Sequence, residues 1–533
     1  MNRQIRVRFL ALGALAVLGT SASITDLAQA PKITLTPATM ARIGTVDERF
    51  QSYNIEMVEV TGGRFWKPYA SKPDVPTADK QPSGNQPAGL SPSLYEYRQP
   101  IDLSNSRLRK LAAALGPAYL RVSGTWANTT FFQDSDDPAP SSPPKGFNGV
   151  LARSQWKGVV DFSHAANAEL VTSFAISAGT RDAAGAWTPE QAKHFVDYTR
   201  SVGGSIAAAE YFNEPNIAEM GGAPKGYTAA DYARDVLAFR DFLSKSGSKT
   251  LLLGPGAVGE GTMIVPSAMQ TLSSASLLTA TGPVFDAVSY HSYGGVSSRC
   301  SMFGAAMGTT PGAALSDEWL ARSGKIADFY SGVRDKYEPG KPLWLTETAQ
   351  TACGGDRWAS TFLDSFRYLN QLGTLAKRGV QVQMHNTLAS SDYGLLDEKT
   401  YEPRPNYWAA LLWRRLMGTT VLEPGPSPVS SLHLYAQCLR NHPGGVALLV
   451  INADQNAARS IRVPAASERY TLTADELQGG SVKLNGVELA IGEGDALPEL
   501  KGKPTRSGEV EFAPASITFL AISKADSASC GKL

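Results

Sequence analysis

Residues 206–216 read IAAAEYFNEPN, a short apolar run that delivers Asn213, Glu214, Pro215 and Asn216 at its end. A buried-looking stretch followed at once by a carboxylate is the pattern of a barrel strand handing a side chain to a loop-lined mouth. A second stretch, 342–346 (PLWLT), delivers Glu347 in the same way. Working outward, strands are expected at 53–60, 118–123, 170–176, 251–255, 285–291 and 380–386, which with the first two give enough for one closed barrel. Helical patterns alternate with them at 104–115, 188–202, 228–245 and 358–378, with Ser104 and Thr228 placed as N-caps. The alternation predicts an α/β chain folded as a (β/α)8 TIM barrel. A doubly wound open sheet is the alternative, but no Gly-rich phosphate loop follows the first strand.

Beyond the helical stretch 406–417 the pattern changes to short strands at 430–439, 446–452, 460–464, 481–489 and 509–522. This predicts a C-terminal β-sandwich over 418–533, a catalytic barrel over 46–417, and a segment 31–45 that joins a strand to the sandwich. Residues 64–100 hold seven prolines and form a long loop after the first strand, either shaping the cleft or lying on the surface. Residues 1–30 read as a signal peptide, with Arg3, Arg6 and Arg8, the apolar run 9–19 and Ala28-Gln29-Ala30 before Pro31. A retained anchor is the alternative; otherwise the mature chain is secreted or periplasmic, without a membrane span.

The formal charge is +1, and removing residues 1–30 leaves about −1, so no global basic field favours nucleic acid as a partner. The six histidines show no metal-ligand spacing, and neither a metal nor another cofactor is expected. Four cysteines in an exported chain make disulfides plausible. Of the three pairings, Cys438 with Cys530 would tie the chain end to the C-terminal domain. Cys300 with Cys353 would join two segments that follow adjacent strands, with free thiols as the alternative for this pair.

Two glutamates ending two apolar strands suggest glycoside hydrolysis. One carboxyl must protonate the departing oxygen while the other attacks the anomeric carbon, and their environments must differ. The competing reading of any single glutamate is a surface or salt-bridged side chain.

The chain resembles the heparanase-like proteins of glycoside hydrolase family 79 in segments 108–125 (LRKLAAALGPAYLRVSGT), 285–293 (FDAVSYHSY), 382–418 with its SDYGLLDE loop, and 482–520. The resemblance implies a barrel with a β-sandwich that hydrolyses β-linked glucuronic acid with retention. It implies Glu214 as acid/base, Glu347 as nucleophile, and Asn213 as a contact for the sugar 2-hydroxyl. Tyr293 matches an aromatic residue near the nucleophile, and His291 stands on the same strand, as a supporting residue or simply as core. Tyr393 matches a tyrosine that recognises the sugar carboxylate together with a backbone N–H at Ser391, where the family is expected to have glycine. Glu56, or else Glu59, and Thr125 match positions that contact the same sugar. Ser123 and Asn128 depart from the glycine and acidic residue associated with that motif. A monomeric, single-chain enzyme is expected. Cleavage at chain ends or within a glucuronate-containing glycan both stay open, with a lean toward chain ends. A barrel glycosidase of another specificity and a catalytically silent glycan binder are the alternatives.

Overall fold

The computed structural model describes residues 33–69, 90–247, 249–261, 271–303 and 308–531. The signal-peptide reading of residues 1–30 and the middle of the 64–100 loop lie outside them. Eight parallel strands close into a barrel: β1 Gln51–Glu56, β2 Ala118–Ser123, β3 Ala168–Ser173, β4 Ile206–Glu210, β5 Leu251–Val258, β6 Ala287–Tyr293, β7 Leu343–Ala349 and β8 Val380–His385. They neighbour one another in chain order, with β8 paired to β1, so β4 and β8 stand on opposite sides of the ring.

The barrel interior is plugged by Tyr119, Val171, Ala208, Leu253, Ala287, Trp344, Val382 and Met384. Because side chains alternate along a strand, the positions two or four residues further on continue the same inward rows toward the C-terminal mouth. From Tyr119 the row leads to Arg121, from Ala208 to Glu210, from Ala287 to His291, from Trp344 to Thr346, and from Met384 to Asn386. The apolar plug thus gives way within one pleat to a polar layer.

Several sequence-based bounds shift, each for a local reason. β1 stops at Glu56, where a short helix, Met57–Thr61, begins; the Glu56 N–H donates to Glu59 Oε2 at 2.6 Å. β4 stops at Glu210, so Glu214 lies four residues past the strand, whereas Glu347 lies inside β7. The helix Ser106–Ala114 is capped by Asn105, which accepts from the Leu108 N–H, and not by Ser104, whose hydroxyl donates to Asp102 at 2.6 Å. Thr228 does cap Ala229–Lys245. The helices Arg153–Ala165, Ser274–Thr281 and Asp317–Tyr337 complete the alternation of strand and helix.

Past the helix Pro405–Leu416, the chain builds a mainly antiparallel nine-stranded sheet around Met417–Leu422, Leu432–Leu439, Val446–Asn452, Ser516–Ile522 and Ser467–Thr473, with Arg42–Thr45 paired to its first strand. A two-stranded ribbon, Arg459–Val463 with Gly508–Phe512, covers one face over a core that includes Leu434, Leu448, Val450 and Phe512. The other face puts Tyr435, Leu449 and Ile451 into the barrel's outer core. Burial on both faces explains why Val446–Ile451 of this strand is an unbroken apolar run. The expected strand 509–522 is broken at Pro514 and Ala515, the latter at φ 44°. Disulfides join Cys300 to Cys353 and Cys438 to Cys530. Among the described residues, no helix is long and apolar enough to cross a membrane.

Candidate active site

At the C-terminal mouth, the polar layer converges on Arg121, which is 1 % exposed. Its Nε and Nη2 donate to Glu210 Oε2 at 3.1 and 2.8 Å, its Nη1 to Glu347 Oε2 at 2.8 Å, and its Nη2 also to Asn213 Oδ1 at 2.8 Å. Thr346 donates to the other Glu210 oxygen at 2.8 Å. The register between β6 and β7 slips so that Tyr290 pairs with Leu345 but His291 with Glu347, which leaves Thr346 as an extra residue. This bulge lets two successive residues, Thr346 and Glu347, both reach inward.

Glu214 occupies the left-handed region at φ 55° and ψ 59°. A non-glycine residue there costs about 1–3 kcal/mol and is held by its surroundings. Asn128 helps to hold it: it accepts from the Asn213 N–H at 2.9 Å and donates to the Asn213 carbonyl at 3.0 Å. A carboxylate at position 128 could only accept. Thr125 stands beside the same asparagine, its hydroxyl 3.5 Å from Asn213 Nδ2.

His291 is fully buried and links the two candidate carboxyls. Its Nδ1 lies 3.1 Å from Glu214 Oε1 and 3.7 Å from Glu347 Oε2. Its Nε2 lies 3.2 Å from Arg121 Nη2, a donor, and 3.7 Å from Glu210 Oε1. Neutral, the ring accepts from Arg121 at Nε2; charged, its Nε2–H lies 3.7 Å from the Glu210 carboxylate, an ion pair without a direct hydrogen bond. Nδ1 carries a proton in both states and donates to Glu214. Ligand atoms of Glu214, His291 and Glu347 lie within 4.8 Å of one another. That set fits a metal ion poorly, because the Arg121 guanidinium already supplies positive charge to it.

On the opposite wall, the Tyr293 phenol donates to Glu347 Oε1 at 2.5 Å. Asn386, just past β8, donates to Glu56 Oε1 at 3.0 Å and reaches the hydroxyls of Tyr293 and Tyr393, each at 3.3 Å. Glu56 Oε2 is buried without a partner and packs against the backbone of Gly124. Glu59 sits behind Glu56, tied to its backbone, so of the two glutamates it is Glu56 that shares this pocket. Ser391 adopts φ 60°, the conformation that favours glycine. Its N–H faces Glu398 Oε2 at 3.3 Å, and Glu398 is paired with Arg98 at 2.5 Å. That N–H is thus engaged internally, unlike the free donor the resemblance implied.

Burial sets the protonation pattern. It raises Glu214, with the Glu347 charge adding to it and the His291 hydrogen bond opposing. It raises Glu56 well above the ordinary carboxylate range, again with Glu347 adding, and lifts Glu59 to about 7. Burial also pushes Glu210 upward, but Arg121, ahead of the His291 contact and the Thr346 hydrogen bond, holds it well below the usual range. For His291 burial pulls downward, and the pull of Glu347, with the contacts to Glu210 and Glu214, brings the imidazole up to about 9.

The structure links Asn213, Glu214, His291, Tyr293, Glu347, Glu56, Thr125 and Tyr393 into one polar cluster at the C-terminal mouth. Sequence reasoning missed Arg121, Glu210 and Asn386. Their signal was parity: each continues an inward row of an otherwise apolar strand, and the arginine in 118–123 (AYLRVS) is the plainest case.

Residues 98–373, just over half of the chain, match the sequence profile of glycosyl hydrolase family 79, N-terminal domain. The chain is similar to heparanase-like protein 1 of Arabidopsis thaliana, 28% identical over 68% of this chain and 67% of that protein. It is also similar to the baicalin-beta-D-glucuronidase of Scutellaria baicalensis, 26% identical over 82% of this chain and 85% of the relative. In fold it resembles a solved 4-O-alpha-L-rhamnosyl-beta-D-glucuronidase from Fusarium oxysporum 12S, with a TM-score of 0.63 at 13% identity over 92% of this chain and 99% of the other.

Proposed function

This chain belongs to glycosyl hydrolase family 79, and from that premise we propose that it hydrolyses β-linked glucuronic acid with retention of configuration. The observation that carries the reading is the approach of the Glu214 and Glu347 carboxyl oxygens to within 4.8 Å. A gap of about 5 Å suits direct attack, whereas an inverting pair needs roughly 6.5–9.5 Å to admit water.

Glu214, held toward its neutral form by burial, donates its proton to the aglycone oxygen. The Glu347 carboxylate, oriented by Tyr293 on one oxygen and Arg121 on the other, attacks the anomeric carbon and forms a glycosyl ester. Glu214, now ionised and stabilised by His291, takes a proton from the water that cleaves the ester. Asn213 has one amide face fixed by Arg121, which leaves its Nδ2 for the sugar 2-hydroxyl. Tyr393 supplies a hydroxyl for the sugar carboxylate. The N-terminal pattern of basic, apolar and small residues supports export of the enzyme.

The test is hydrolysis of p-nitrophenyl β-D-glucuronide beside the β-glucoside and the α-L-arabinofuranoside, with the anomer of the first product followed by NMR. The expected result is β-glucuronic acid released first from the glucuronide, with turnover lost in Glu347→Gln. Activity confined to a neutral glycoside, or an α-anomer as first product, would overturn the reading.

A further inference from the structure

Four loops on one side of the mouth, following β1, β6, β7 and β8, are fastened to one another around Tyr69. The Tyr69 N–H faces the Asp392 carboxylate at 3.2 Å, and its phenol shares hydrogen bonds of 2.9 Å with the hydroxyls of Ser297 and Ser298. The guanidinium of Arg299 lies over the Tyr69 ring, 3.9 Å from its centroid, and bonds to Asp392, to the Lys67 carbonyl and, at 3.3 Å, to the Gly355 carbonyl. The Ser391 hydroxyl reaches both the Trp66 carbonyl at 3.3 Å and the Gly354 carbonyl at 3.1 Å. The Cys300–Cys353 disulfide fixes the β6 and β7 loops covalently. These loops meet the pocket directly, since a Cβ at Gly355 would stand 3.3 Å from Tyr393 Cβ.

The position of this wall bears on which bond can be cut. The proton donor Glu214 follows β4, so the leaving group departs on the β4 side. The wall spans the loops after β6, β7, β8 and β1, on the side of the barrel away from β4. In a pyranose ring C4 lies across from C1, so a sugar with its C1 turned toward Glu214 directs its 4-hydroxyl into the wall. A glycan chain continuing from O4 would have to pass through loops cross-linked by a disulfide, an ion pair and several hydrogen bonds.

Resting on the glucuronidase reading above, we propose that the pocket is closed at its non-reducing end and that the enzyme removes only terminal glucuronic acid whose 4-hydroxyl is free. The wall formed by Tyr69, Arg299, Asp392 and Ser391 is the specificity determinant.

The experiment compares p-nitrophenyl β-D-glucuronide with its 4-O-methyl derivative, alongside a reducing-end-labelled oligosaccharide carrying either a terminal or an internal β-glucuronic acid. Capping O4 is expected to lower kcat/KM at least about a hundredfold, and the oligosaccharide should yield free glucuronic acid and no internal fragments. A smaller fall, or internal cleavage, overturns the proposal while leaving the glucuronidase reading in place. Hydrolysis of the β-glucoside but of neither glucuronide overturns both. In Tyr69→Ala/Arg299→Ala, hydrolysis of the capped relative to the free glucuronide should rise at least about tenfold; an unchanged ratio would remove the wall as determinant.

Discussion

Replacing His291 by leucine should move the basic limb of the pH–rate profile upward. His291 Nδ1 donates to Glu214 Oε1 at 3.1 Å in a fully buried setting. That bond favours the ionised form of Glu214 and opposes the burial that raises it. Without the donor, the neutral acid persists to higher pH. A hydrogen bond to a charged group is worth about 1.5–3 kcal/mol, and one pKa unit corresponds to about 1.4 kcal/mol, so the shift should be about one to two units. Arg121 does not become an orphan in the variant, because Nη2 keeps Glu210 and Asn213. Leucine fills a similar volume, whereas His291→Asn restores an N–H near Nδ1 and should bring the limb most of the way back. The assay is kcat/KM against pH with an aryl glucuronide whose leaving group is poor enough to need the acid. A limb that stays in place, or moves to lower pH, would refute the assignment of Glu214 as a proton donor tuned by His291.

Tyr393→Phe should lower the preference for glucuronide over glucoside by about ten- to a hundredfold, the value of one hydrogen bond to a charged group; equal losses on both substrates would end the carboxylate role. Glu59, 2 % exposed and raised by burial to about 7, binds its proton in the fold above the pH at which the unfolded chain releases it. Its contribution to stability is therefore full below about pH 4.5 and declines as pH rises through 7, by about 3 kcal/mol in all. Glu59→Gln keeps an oxygen for the Glu56 N–H and should flatten that part of the pH dependence in urea denaturation, and an unaltered slope would contradict it. Removing the Cys438–Cys530 link, which closes a separation of 92 residues, should cost about 2–4 kcal/mol of stability without changing the kcat of the folded enzyme. A changed kcat would mean that the C-terminal sheet reaches the site.

The barrel was legible because its signals are local. Each inner strand is a short apolar run, and the chain order of runs and helices leaves few ways to close the sheet. Glu214 and Glu347 stand out as candidates for the same reason, since each carboxylate follows a short apolar run. The bounds were harder to read where polar interactions overrule the apolar pattern. 53–60 (YNIEMVEV) looks like one strand, yet it turns into a helix at Met57, with the Glu59 carboxylate held by the Glu56 N–H. Arg121 escaped because an arginine inside a strand is ordinarily placed at a surface, and only the convergence of Glu210, Glu347 and Asn213 from other strands makes its burial possible. Asn386 and the Tyr69 wall depend on loops meeting across the mouth, and no spacing along the chain encodes that meeting.

The concentration of acids in this pocket has a physical consequence on the glucuronidase reading. Glu56, Glu59, Glu210, Glu214 and Glu347 crowd one end of the barrel, and the substrate itself is an anion. Two charges 5 Å apart repel by about 3 kcal/mol at an effective dielectric near 20, so a pocket with all five ionised would reject the sugar it is built to hold. The burial that raises Glu56, Glu59 and Glu214 eases this conflict, because it favours the neutral form of each. Arg121 and His291 set positive charge against Glu210 and Glu347, which lowers the repulsion that the glucuronate meets. Protonation also turns Glu56 from an acceptor into a donor. On this account, the burial of three glutamates is what lets a site made largely of acids accept an acid.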